Sequence, residues 1–166
     1  MRIPRIHLPA AEAPGQRLVL PGNRERHVRK ALRLRPGDPL VVFPGTGGHF
    51  HARLAEEGAV ELGDFEPGGG ESPLTTVLWA GLSKGEKLEW VVQKATELGA
   101  SEIRPLHTAR SVRRLDAKRA AKNLRRWQEI ASGACEQCGR DVVPAIAAVT
   151  DLETALSEHS TEREGH

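Results

Sequence analysis

The sequence predicts a chain in two parts, a small all-β barrel or meander followed by an α/β unit, and three observations carry that prediction. Short apolar runs of strand length crowd the first part: PLVVF (39–43), HFHARLA (49–55) and AVELGDF (59–65), joined by PGTGG and EEG turns. Beyond residue 74 the pattern becomes strand, helix, strand, helix, strand, which marks an α/β unit with crossover connections. Between them lies GGGESP (68–73), whose glycines cost entropy to order and whose proline ends a ladder. The predicted division is 1–67 for the barrel, 68–73 for the linker and 74–166 for the α/β part.

In chain order, Ile3, Ile6 and Leu8 alternate with basic residues, so 2–8 reads as a further strand. Asn23 is placed to cap a short helix, RERHVRKALRLR, with Val28, Ala31, Leu32 and Leu34 on one stripe and Pro36-Gly37 as its stop. After the linker, TTVLWAGL (75–82) is almost continuously apolar, which predicts a strand buried on both faces of a parallel sheet. Leu88, Val91, Val92, Ala95 and Leu98 follow at helical spacing, with Gly99 where a C′ glycine belongs. EIRPLHT (102–108) reads as a second strand, and its Pro105 argues for an edge or a strand end. A long helix is predicted over Asp116–Gly133, with Leu124, Trp127, Ile130, Ala131 and Ala134 inward. PAIAAVT (144–150) reads as a third strand and DLETALSEH as the start of a helix.

The 166 residues contain no apolar run near the ~18 residues of a membrane span, and the N-terminus lacks the apolar core of a secretory signal, so a cytoplasmic protein without membrane attachment is expected. Net charge is only +2, yet it is strongly segregated. Residues 1–35 carry nine Arg and Lys against two Glu, +7, and residues 104–126 carry nine against one Asp, +8, leaving −13 for the remainder. Clustered arginine suits a polyanion, while two solvated helix faces are the plainer reading.

Several constellations bear on chemistry. SKGEKLEW (83–90) opens a helix after a strand, where α/β proteins bind ligands, but it has neither GxGxxG nor a P-loop, and Lys84, Glu86 and Lys87 read as a solvated first turn. Cys135 and Cys138 have CxxC spacing; with no second CxxC and no HxxxH among the seven histidines, no metal site is expected, and the cysteines read as small packing residues. Glu136, Gln137 and Arg140 offer acceptors, an amide and a forked cation near a helix end, a set able to hold a base edge or a phosphate. Arg110 and Ser111 follow the second strand directly, at a sheet's usual site of chemistry. No Ser/His/Asp or Cys/His arrangement can be assembled, so hydrolase chemistry is unsupported.

MRIPRIHL, VRKALRLRPGDPLVVF (28–43), LSKGEKLEWVVQKATELGASEIRPLHTARS (82–111) and WQEIASGACEQCGRDVVPAI (127–146) together resemble the ribosomal RNA small subunit methyltransferase E family. The resemblance implies a PUA-like barrel followed by a SPOUT-type α/β knot domain, S-adenosylmethionine as cofactor, methylation of N3 of a uridine in 16S rRNA of the 30S subunit, and a homodimer. The family's GPEGG and LGxRILRxETA segments have no counterpart here, so the knot domain is expected to be incomplete and the cofactor-binding residues to lie beyond His166. Arg5, Arg110 and Arg140 match family motif positions and are the catalytic candidates, a guanidinium near O2 or O4 stabilising the developing uracil anion. Arg2, Arg29, Arg33, Arg35, Arg113, Arg114, Glu136 and Gln137 are the candidate RNA contacts. The alternative is a non-catalytic RNA-binding fragment that uses the basic barrel and the basic helix.

Overall fold

A computed structural model describes residues 3–83, 86–109 and 115–157. The chain divides into two compact units, Met1–Glu71 with Cys135–Val143, and Ser72–Ala134 with Pro144–His166. Among the described residues no helix is long and apolar enough to cross a membrane.

The first unit is built on a five-stranded sheet of β1 (Arg5–His7), β2 (Arg17–Val19), β3 (Pro39–Phe43), β4 (His49–Leu54) and β5 (Ala59–Glu66), in the order β1-β3-β4-β5-β2. β3, β4 and β5 form an antiparallel meander; β1 joins parallel to β3 and β2 antiparallel to β5. The alternation along β4 explains its placement: Phe50, Ala52 and Leu54 are buried, while His49, His51 and Arg53 face the other way. Ile6, Val28, Leu40, Val42 and Val60 join them in one apolar cluster, each worth about 1.5–3 kcal/mol of burial for a side chain of this size. Sequence reading missed β2, whose three residues carry too little alternation to register.

The short helix expected over 24–35 is shorter still and different in kind. α1 spans Gly22–Arg26 after Pro21 and passes into a π-type turn, His27–Ala31, closed by Leu32 N–H donating to His27 O at 3.0 Å. Arg33 then takes φ 56°, left-handed backbone that ends any helix. Asn23 lies inside α1, its Oδ1 accepting from Arg24 N–H at 2.9 Å, instead of capping from outside.

In the second unit β6 (Val77–Gly81), β7 (Glu102–His107), β8 (Ala145–Ile146) and β9 (Thr150–Asp151) are all parallel, with β7 central. Their connections contain α2 (Lys87–Glu97) and α3 (Ala117–Cys138), and α4 follows at 152–157. α2 ends as its glycine predicts: Gly99 has φ 94° and Ala100 N–H donates to Ala95 O at 2.9 Å. α3 is capped by Asp116, whose Oδ1 accepts from Arg119 N–H at 2.8 Å, and it runs five residues beyond the expected end to take in both cysteines.

Four expectations are corrected. The apolar run of β6 is not buried on both faces: Ala80 alone is buried, and Val77 is exposed. Leu98 is 87% exposed, because it already lies past the last turn of α2. The single third strand is two short ones, β8 and β9, separated by residues 147–149. Pro105 is buried in the central strand, not at an edge. That position is tolerated because residue 105 faces the same side as Ile103, whose carbonyl accepts from Ala147 N–H, and there the ladder lapses between Ile146 and Thr150. The missing proline N–H falls in that gap.

Candidate functional site

Within the first unit, the chain at 135–143 returns to the sheet and is held by charge. Arg5 Nη2 donates to Asp141 Oδ1 at 2.5 Å and to Arg140 O at 3.3 Å, and its guanidinium lies 5.0 Å from the centre of the Phe43 ring. Asp141 also receives His49 Nδ1 at 3.1 Å. Glu136 Oε1 accepts from His7 N–H at 3.0 Å and from Arg24 Nη1 at 2.6 Å. Arg140 forks onto Glu71, with Nη2–Oε2 at 2.7 Å and Nε–Oε1 at 3.0 Å. These side chains are largely enclosed: 12% exposed for both Arg5 and Asp141, 8% for Glu136 and 11% for Arg140. Glu136 is therefore not the exposed acceptor that its place near a helix end implied.

Glycine makes the docking possible. The loop Pro44–Gly48 holds Gly45 at φ 90° and Gly48 at φ 71°. A Cβ on Gly48 would stand 2.3 Å from Phe65 Cζ, and one on Gly45 would stand 2.7 Å from His7 Nε2. The loop pairs with the returning chain through Gly47 N–H to Asp141 O at 3.2 Å and Val143 N–H to Gly45 O at 2.9 Å. Beside it opens a cleft of about 340 Å³ lined by Gly47, Gly68–Gly70, Glu71 and Cys138–Val142. Glu71, Arg140 and Asp141 are its charged walls.

The second unit offers the C-terminal edge of a parallel sheet, which is where such sheets place ligands. Leu82 and Ser83 follow β6, Thr108 and Ala109 follow β7, and α4 follows β9. A cavity of about 450 Å³ is lined there by His107, Thr108, Ala109, Asp151, Glu153 and Thr154, among others. Among the described residues His107 Nδ1 is buried without a hydrogen-bond partner.

Of the predicted site residues, Arg5, Arg140, Glu136 and Gln137 are brought into one unit with Arg29, Arg33 and Arg35. Arg29 pairs with Glu25 at 3.1 Å, and Arg33, Arg35 and Gln137 are exposed. Arg2, Arg110, Arg113 and Arg114 lie outside the described residues. Sequence reasoning missed His7, Arg24 and His49 as parts of the network, since no local spacing links them to residues more than 90 positions away.

Burial shifts two groups. Burial foremost, with Arg24 nearby, lowers the His7 imidazole below its ordinary value, although a hydrogen bond to Pro44 O works the other way. Burial pushes the Cys135 thiol up to about 12, so it is an inert packing group rather than a nucleophile. Cys138, by contrast, is exposed.

A family model for the RNA methyltransferase domain matches residues 70–164, more than half of the chain, and this places it in the class of RNA methyltransferases. The ribosomal RNA small subunit methyltransferase E of Bacillus subtilis is 33% identical over 139 residues, 81% of this chain and 54% of that protein. That of Synechocystis is 35% identical over 124 residues, 74% of this chain and 40% of that protein. The crystal structure of the Neisseria gonorrhoeae enzyme bound to S-adenosylmethionine superposes with a TM-score of 0.86 at 38% identity, over 93% of this chain and 65% of that one. The chain belongs to the ribosomal RNA small subunit methyltransferase E family and shares its α/β fold. It spans about half the length of the curated relatives it matches.

Proposed function

We propose that the protein methylates N3 of a uridine in 16S rRNA of the small ribosomal subunit, with S-adenosylmethionine as methyl donor, in the cytoplasm and as a homodimer. The observation that carries this reading is the likeness, over 93% of the chain, to a family member bound to S-adenosylmethionine. In this reading the first unit is a PUA-like RNA-binding barrel, and the second is the early part of a SPOUT-type knot domain. The remaining cofactor-binding residues are assigned to the part of the relatives' length that this chain does not span. The cofactor, when bound, supplies an electrophilic sulfonium methyl group.

The described residues fit the neighbourhood of such a reaction. The cavity at the strand ends has polar walls and one buried ring nitrogen, His107 Nδ1, that meets no partner among the described residues. Uracil N3 must lose its proton as the methyl arrives, and a guanidinium beside O2 or O4 stabilises the charge that develops. Arg110, next in sequence after this edge, is the foremost of the three catalytic candidates. Arg140 lines the glycine-rich cleft with its fork already on Glu71, and Arg5 is enclosed against Asp141. Both are proposed to position the RNA-facing backbone at 139–143, and either would need to release its carboxylate to touch a base. Arg2, Arg29, Arg33, Arg35, Arg113, Arg114 and Gln137 are proposed RNA contacts, the arginines neutralising phosphate, while Glu136 anchors Arg24.

The test is methylation of 30S subunits with labelled S-adenosylmethionine by the chain extended to the relatives' full length, followed by primer extension on the 16S rRNA. N3-methylation blocks Watson–Crick pairing, so a single new stop at one uridine is expected, with label in that nucleotide. Label at another atom or in another RNA would overturn the reading. Salt-dependent rRNA binding with no methyl transfer, by this chain or by a version extended to the relatives' full length, would leave the RNA-binding alternative.

A further inference from the structure

We propose that His49, His51 and Glu66 form a binding site in the first unit for a borderline divalent transition-metal ion of the zinc class. His49 and His51 are two residues apart on β4 and therefore project from the same face. Glu66 is the cross-strand partner of His49 on β5 and faces the same way. The pairing of β4 and β5 is irregular between Phe50 and Ala52: two residues, Gly63 and Asp64, lie opposite the single residue His51, one more than a regular ladder holds, before Phe65 and Glu66 resume it. That bulge aims Glu66 at both imidazoles.

The distances suit a metal. His51 Nε2 is 3.1 Å and His49 Nε2 is 3.5 Å from the same Glu66 oxygen, and one ligand atom from each residue lies within 4.8 Å of the others. Bond lengths of about 2.0–2.2 Å in tetrahedral geometry require ligand atoms roughly 3.3 Å apart, which these two separations bracket. Two imidazoles and a carboxylate with open positions remaining match borderline divalent ions rather than magnesium or calcium.

The hydrogen bonding of His49 points the same way. Its Nδ1 lies 3.1 Å from Asp141 Oδ2, an acceptor, so a neutral ring that makes this bond carries its proton on Nδ1. Nε2 of the neutral ring then turns a lone pair toward a carboxylate oxygen, a contact that is favourable only with a cation between them, either a second ring proton or a metal. A carboxylate behind a ligating imidazole is the arrangement by which metal sites fix the tautomer and orient the ring. Here that carboxylate is 12% exposed and is itself held by Arg5. The cation nearest along the same strand face, Arg53, is turned away to donate to Gly37 O at 2.9 Å, so it does not occupy the site.

The site has no part in the proposed methyl transfer, and it can be tested with metal alone. Titration calorimetry with Zn²⁺ in a non-chelating buffer should give one equivalent bound with a Kd of micromolar order. His51→Ala and Glu66→Gln, both at half-exposed positions where the fold is not at stake, should each weaken binding at least about tenfold, the loss typical of removing a ligand or its support. The variant His159→Ala/His166→Ala, which removes the histidines of the C-terminal segment, should bind as the parent does. Co²⁺ should give the visible absorption of a four- or five-coordinate ion in the parent and not in His51→Ala. The absence of saturable Zn²⁺ binding, or binding retained in both His51→Ala and Glu66→Gln, would overturn the proposal and leave two imidazoles sharing a carboxylate through protons.

Discussion

The two units spend their charge differently. In the first, beside the exposed pairs Arg17–Glu57 and Arg29–Glu25, three pairs are drawn inside: Arg5–Asp141, Arg24–Glu136 and Arg140–Glu71 each join residues at least 69 positions apart, and every one of these six side chains is at least two-thirds enclosed. In the second, most ion pairs among the described residues sit on surfaces, as with Lys94–Glu97 along α2, Arg119–Asp116 at the start of α3 and Arg126–Glu89 between those helices. An arginine count reads both as basic clusters. The structure separates arginines that hold the first unit to its returning segment from those left facing solvent, and only the latter are free to meet a polyanion without a structural cost.

The largest effect that can break this comparison comes from the second unit's core. If that unit depends on apolar packing, removing the indole of Trp127, 4% exposed on α3, should cost about 3–5 kcal/mol in urea denaturation. Next, Asp141→Asn in the first unit should cost about 3 kcal/mol, because it leaves the enclosed Arg5 guanidinium without its carboxylate. A loss for Asp141→Asn near zero would mean that water reaches Arg5 freely and that the charge network is ornamental.

Much of this division was legible in the sequence, for reasons specific to each element. Strands β3, β4 and β5 announced themselves because alternation and turn residues agree, and α2 because its stripe and Gly99 agree. The ends of elements were harder. Arg33 with φ 56° is invisible to a pattern of side chains, and the exposure of β6 depends on which strands flank it. The charge network could not be read at all. His7, Arg24 and His49 find partners through the return of 135–143 to a glycine loop, and that contact is non-local. The segment WQEIASGACEQCGRDVVPAI did carry the signal of family resemblance, but its Glu136 turns inward to the Arg24 guanidinium and its Arg140 to the Glu71 carboxylate, whereas the sequence suggested solvent.

A smaller effect tests burial in the first unit through pH. His7 has its imidazole value lowered from 6.5 by burial. Well above pH 6.5 the ring is neutral in both folded and unfolded chains and its contribution to stability does not change with pH. As pH falls below that, the unfolded chain takes up the proton first, so stability declines until the folded ring also protonates at its lowered value. Stability curves of the parent and His7→Gln should therefore converge in slope above neutrality and diverge on the acid side, the parent losing more. A difference curve that is flat from neutrality into the acid range would show that His7 is as solvated as an exposed histidine.

The smallest effect is the sharpest test of the comparison, because it concerns a two-bond ion pair of the second unit. Arg126 meets Glu89 through two bonds, Nη2 to Oε2 at 2.7 Å and Nε to Oε1, and each group shifts the other in the expected sense, the carboxyl down and the guanidinium up. By geometry alone this pair equals Arg140–Glu71. The difference is solvent: the Arg126 side chain is 56% exposed and that of Arg140 is 11%. Water and salt screen the exposed pair, and ordering two long side chains offsets what attraction remains. Arg126→Ala should therefore leave the thermal midpoint unchanged within error, at low salt and at 1 M salt alike, while Arg140→Ala lowers it at both. A clear drop for Arg126→Ala that disappears at high salt would show that the second unit, too, relies on charge to join its helices, and the contrast between the units would fall.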